Sequence, residues 1–242
     1  MARLLPRESS PILVAAALDR TLNDVVRRLL PPAEVPAALE TVAAACVLEG
    51  EPDEQRAVAL ARGLAETTSD TALLRRWLAA DTTDQGLALD PELRWSAVRR
   101  LAELGAAEAP EIEAERLRDD TATGDLGAAT ALAARPTGEA KSAAWAAMTE
   151  DPDISVRRFA ALATGLWSWS HRELVAPYVA AYVAVAPSLA RRGSAFAKAI
   201  GRAFPAVPLT AGELALVREA LNGEMPTVLR RLWEDELDDR TA

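Results

Sequence analysis

Two residue types with obvious reactive chemistry occur once each, His171 and Cys46. A helical zinc-peptidase site needs two histidines four residues apart with a glutamate between them. One histidine cannot build it. Ser-His-Asp catalysis would have to use His171, and no G-x-S-x-G elbow accompanies it. Neither a P-loop nor a G-x-G-x-x-G run is present. Cys46 lies inside the apolar run 41–48, reads as a small core residue, and has no second cysteine with which to form an internal disulfide. Catalysis by this chain alone is therefore not expected. Catalytic, cofactor-binding and metal-ligating residues are all assigned as none.

What remains are binding chemistries. Trp167-Ser168-Trp169-Ser170-His171 places two indoles and an imidazole beside a helix break. Partly exposed aromatics at such a junction suit an interface. Trp167, Trp169 and His171 are thus the candidate peptide or interdomain contacts. Against this, the default reading of His171 is an exposed or interface histidine, and contact with a substrate or a neighbouring domain is the sharper one. Ser170 followed by Glu173 has the spacing of a capping box, which would put His171 in the first turn of the next helix. Arg-Arg pairs recur at 27–28, 75–76, 99–100, 157–158, 191–192 and 230–231. They fit solvated faces paired with nearby carboxylates, or a concave surface that attracts a carboxylate. Trp77, Trp95, Trp145 and Trp233 fall in apolar stripes and read as packing residues.

The elements that carry these residues are helices. Ser10-Pro11 opens the first, with Leu18, Leu22, Val25 and Leu29 on one face, and Pro31-Pro32 stops it. A second runs over about 33–48 with exit at Gly50, and Pro52 starts a third. Ser69-Asp70 caps a fourth and Asp90-Pro91-Glu92 starts a fifth, around a polar break at 81–89, and Gly105 ends the fifth. Further helices are predicted near 110–118, 123–134, 138–149, 153–166, 171–185, 188–202, 210–221 and 224–239, with Asp153 as a cap and Pro187, Pro205 and Pro208 as punctuation. The fold class is all-α, about a dozen helices in a single domain over 1–242. Stacked pairs with a 30–40 residue period suggest an α-superhelix or solenoid, HEAT- or armadillo-like. A compact bundle is the rival.

Composition agrees. Alanine makes up roughly a fifth of the chain, well above ordinary usage, and it is the best helix former. The net charge of −9 favours solubility and argues against a nucleic-acid partner. No unbroken apolar run approaches the ~20 residues that span a bilayer, so no membrane partner is expected. The start, with its short apolar stretch at 11–18, reads as structure rather than targeting, and a cytoplasmic location is the expectation. Arg dominates over Lys, which occurs only at Lys141 and Lys198.

Three segments resemble the C-terminal helical domain of aminopeptidase N-type zinc metallopeptidases, bacterial forms in particular. The first is Gly86-Leu87-Ala88-Leu89-Asp90-Pro91-Glu92-Leu93-Arg94-Trp95, similar to G-L-x-L-D-x-x-L-R-W. The second holds Ile112 to Glu115, Asp120 to Gly124, Ala134-Arg135-Pro136 and Lys141 to Trp145. The third holds Gly165-Leu166-Trp167, Pro177-Tyr178, Tyr182, Phe204-Pro205 and Leu229-Arg230-Arg231 with Glu234. The likeness is denser over 86–240 and looser over 1–80, where Glu51 to Arg56 replaces a common G-S-D-x-Q-L. It implies an α-superhelix that encloses the substrate chamber of a longer enzyme. It also implies an upstream catalytic domain as partner, zinc held there, and a peptide substrate trimmed from its N-terminus. By that reading the chain is a fragment of a longer protein. A free-standing helical-repeat scaffold for protein–protein interaction is the alternative.

Overall fold

The structure, a computed structural model, describes residues 5, 8–26, 30, 31, 33–47 and 53–241. The Arg27-Arg28 pair, Leu29, Pro32, Leu48, Gly50 and Pro52 lie outside them.

Thirteen α-helices are seen among the described residues. They are α1 (Pro11–Arg20), α2 (Val35–Cys46), α3 (Glu54–Thr67), α4 (Thr71–Ala80), α5 (Pro91–Glu103), α6 (Ala109–Arg118) and α7 (Ala122–Ala134). Then follow α8 (Gly138–Thr149), α9 (Val156–Leu166), α10 (Arg172–Leu189), α11 (Ser194–Arg202), α12 (Ala211–Leu221) and α13 (Thr227–Thr241). The only sheet-like pairing among the described residues is a single bridge between Thr82 and Ala88, inside the polar break.

Local chemistry sets most of the helix starts. Ser10, Asp53, Asp70, Asp90, Thr121, Thr137, Ser155 and Thr210 each accept the amide three residues on. Each such cap satisfies an amide with no intrahelical partner and contributes about 1 kcal/mol. Three expectations change. The cap of α9 is Ser155, not Asp153, and the helix starts at Val156. Ser170 does not cap α10, because its hydroxyl is drawn to Glu103; the capping box of the chain is Thr210 with Glu213. Pro187 does not break its helix but lies within α10, as does Pro177. The break comes at Gly193, whose φ of 142° few L-residues adopt.

The packing forms two layers. Along the first, α1, α3, α5, α7, α9, α11 and α13 each pack on the next member of the series. In the second, α2, α4, α6, α8, α10 and α12 each pack on the odd-numbered helix that follows. This arrangement is compatible with a solenoid of helical pairs. The alanines explain how closely neighbouring helices of the first layer approach. Ala128, Ala129, Ala131, Ala133 and Ala134 of α7 are buried, and a Cβ on Gly165 of α9 would lie 2.2 Å from the carbonyl oxygen of Thr130.

The stretch 169–192 is long and apolar enough, by length and composition, to cross a membrane. An unbroken-run criterion misses it because Arg172, Glu173 and two prolines interrupt it. Its Val175, Val179, Tyr182 and Ala186 are buried within a core that also contains Ile200 and Trp233.

Candidate functional site

The first layer borders a cleft of about 740 Å³. One wall comes from α1, α3 and α5 through Asp19, Glu66 and Arg99, with Asn23 on the turn after α1. The other comes from α9 and α11 through Ala160, Thr164, Lys198 and Arg202. The floor is the α5 terminus and the α9–α10 junction, with Glu103, Trp167, Ser168 and Trp169.

The walls differ in charge. Glu66 pairs with Arg99 at 3.5 Å, and Asn23 Nδ2 donates to Asp19 at 2.6 Å. Lys198 and Arg202 stand opposite, with no ion pair among the described residues. The cleft therefore has an acidic, mostly compensated side and a basic, open side.

Its floor is a polar hub. The Glu103 carboxylate accepts from Arg100 Nη1 at 2.9 Å, Ser168 Oγ at 2.7 Å and Ser170 Oγ at 3.0 Å. Burial alone would raise its pKa, but the Arg100 charge, the Ser168 hydroxyl and Arg99 outweigh that and hold it at about 2. Lys141 is fully buried. Its Nζ donates to the carbonyl oxygens of Ala133 at 2.7 Å and Gly165 at 3.2 Å, in the last turns of α7 and α9. One ammonium thus satisfies orphan carbonyls at two helix ends. Burial pushes it down to about 8, against the opposing pull of Glu103.

The three residues singled out in the sequence meet different fates. Trp167 is buried rather than partly exposed. Its Nε1 donates to the carbonyl oxygen of Ala203 at 2.9 Å, and its ring meets Tyr182 edge-on at 5.7 Å. Trp169 is half-buried on the cleft floor. His171 lies off this cleft, in a neighbouring cavity of about 580 Å³ with Pro36, Leu39 and Arg100. Burial and the Lys141 charge lower its pKa against the opposing pull of Glu103, and its buried Nδ1 has no hydrogen-bond partner among the described residues. Glu103, Arg100 and Lys141 were not picked out as site residues. Lys141 stands out in the sequence only as one of two lysines and as the first residue of Lys141 to Trp145, and nothing in the sequence marks Glu103.

The Arg pairs divide. Arg75 and Arg76 make surface pairs with Glu111 and Asp84, and Arg191 approaches Glu224. Arg99 reaches the cleft, whereas Arg100 is buried and donates to the carbonyls of Thr67 and Thr68. Arg157, Arg158 and Arg231 are exposed. Arg192 stacks over Phe196, and Arg230 donates to the carbonyls of Leu221 and Gly223 near the end of α12.

The hub is built to hold position. A carboxylate held at about 2 is a poor base for the serine hydroxyls that donate to it. No group of three or more His, Cys, Asp or Glu side chains suited to a metal occurs among the described residues. With a single histidine, the side chains of this chain do not fit a zinc site of the peptidase kind.

The first of the sequence segments quoted above also proves architectural. Asp90 caps α5 and pairs with Arg62 at 2.9 Å. Arg94 forks onto Glu115 at 2.5 and 2.8 Å and reaches Asp81 at 2.9 Å. Trp95 Nε1 donates to Asp119 at 2.8 Å.

Comparison with known proteins agrees with these segments. Over 170 residues, 70% of its length, the chain is 38% identical to the aminopeptidase N of Streptomyces lividans, and the aligned part spans 20% of that protein. Residues 3–241 match the family described as the ERAP1-like C-terminal domain. The chain belongs to the ERAP1-like C-terminal domain family.

Proposed function

We propose that this chain is the noncatalytic C-terminal domain of an aminopeptidase N-type zinc metallopeptidase, and that its cleft forms part of the wall of the substrate chamber. Zinc and the peptide-cleaving groups would belong to an upstream catalytic domain, its partner in the same polypeptide. The substrate would be a peptide shortened from its N-terminus, in the cytoplasm. The observation that carries this reading is the cleft itself. It has two helical walls, an open basic edge at Lys198 and Arg202, and a floor whose groups are locked in hydrogen bonds. Such a surface can position a chain beyond the scissile bond and restrict what enters without taking part in bond breaking.

The test has two arms. The purified chain supplied with zinc should release no N-terminal amino acids. In the enzyme encoded by the full reading frame, Thr164→Trp narrows the cleft from an exposed wall position. It should slow cleavage of long peptides while dipeptide-sized substrates are unaffected. Equal loss on all lengths, or none, argues against a chamber wall. A reading frame without an upstream H-E-x-x-H segment would favour the free-standing scaffold instead.

A further inference from the structure

In a solenoid each unit touches its neighbours, and the overall curvature is the sum of many small rotations. Curvature set only in that way is soft, because small adjustments at successive interfaces add up. The α9–α10 junction of this chain departs from that pattern. Trp169 packs against the C-terminal core and also against the N-terminal cluster of Val14, Leu18, Leu39 and Leu60. Ser168 and Ser170 reach Glu103 at sequence separations of 65 and 67 residues. The base of the junction is itself anchored. Lys141 binds the Gly165 carbonyl just before it, and the Trp167 indole binds Ala203 beside it.

We propose that Trp169 and Glu103 form a strap that joins the N-terminal wall of the cleft to the C-terminal wall and fixes the distance between them. The strap bypasses the series of interfaces from α3 through α5 and α7 to α9, so the cleft keeps its width without relying on each of them. Trp169 supplies apolar area to both sides, and Glu103 accepts two directed bonds from the junction, from Ser168 and Ser170. Both are positioning residues. The occupant whose fit they control is a peptide only on the reading proposed above; the strap itself stands apart from it.

The test uses the full 242-residue chain. Spin labels at Asp19→Cys and Lys198→Cys report the distance across the cleft by pulsed electron resonance. Labels at Thr164→Cys and Lys198→Cys report the C-terminal wall alone. Cys46 can stay, since burial pushes its thiol up to about 12 and keeps it from labelling. In Trp169→Ala the cross-cleft distance should lengthen and its distribution broaden, while the control pair keeps its distance. An unchanged cross-cleft distribution in the folded variant overturns the strap, as does equal broadening of both pairs. If Trp169→Ala does not fold, the double variant Ser168→Ala/Ser170→Ala, which leaves the aromatic core intact, decides by the same two distances. The measurement needs no peptide and no enzyme, so its failure is separable from failure of the chamber reading.

Discussion

Helix α5 carries two charged networks, one at each end, and they differ in kind. The network around Arg94 gathers Asp81, Glu115 and Arg118 from nearby turns of chain. Two arginines face two carboxylates there, and Arg118 and Asp81 remain about half exposed. The network around Glu103 is drier and longer in range, with partners from α8 and the α9–α10 junction. The first is redundant, since each charge has a second partner. The second is not, since Lys141 serves two buried carbonyls with no substitute.

That contrast predicts a ranking. Lys141→Met should cost the most, about 3 kcal/mol at neutral pH, because two buried carbonyls lose their donor together. Urea denaturation measures it. The sign of its pH dependence follows from the lowered pKa. Between about 8 and 10.5 the unfolded chain holds the proton that the folded chain has lost, so the parent gains stability as pH rises through that window. The gap to Lys141→Met should widen there, and a constant gap would mean that the amine is not dry.

Arg94→Met should cost less, about 2 kcal/mol, although it removes a forked pair, because Arg118 stays on both Glu115 and Asp81. A larger loss than for Lys141→Met would invert the comparison. Glu103→Gln should cost a comparable amount, about 2 kcal/mol, since the charge facing Arg100 and Arg99 is lost while the amide oxygen still accepts the serine hydroxyls. Its signature is the acid limb. With a folded pKa of about 2 against 4.5, the parent keeps this contribution above 4.5 and loses it as pH falls through 2. The variant should show a flatter stability profile between those values.

Much of the fold was legible because its signals are short in range. Ser10, Asp70 and Asp90 cap the helices they were expected to cap, and Gly105 ends α5 with φ +70°. A cap is a contact between residues three apart, and such contacts are written along the chain. Ser170 shows where that reading fails. The spacing to Glu173 is right, but the Glu103 carboxylate from α5 competes for the same hydroxyl and wins. Trp167 and Trp169 look alike in sequence, two residues apart at one break. One turns into the core toward Ala203, and the other lies on the cleft floor between two clusters.

By itself, then, the sequence determined the helical class, most helix ends, the lack of a peptidase zinc site and the family likeness. Each of these depends on residue type, on near spacing or on counting. Only the tertiary structure decided that Lys141 sits dry and Glu103 on the cleft floor, that Arg100 is buried while Arg99 lines the cleft, and that Trp169 links its two ends. Those facts depend on which surfaces meet between segments far apart in the chain. Burial and charge compensation, which set the behaviour of these groups, exist only once those surfaces have met.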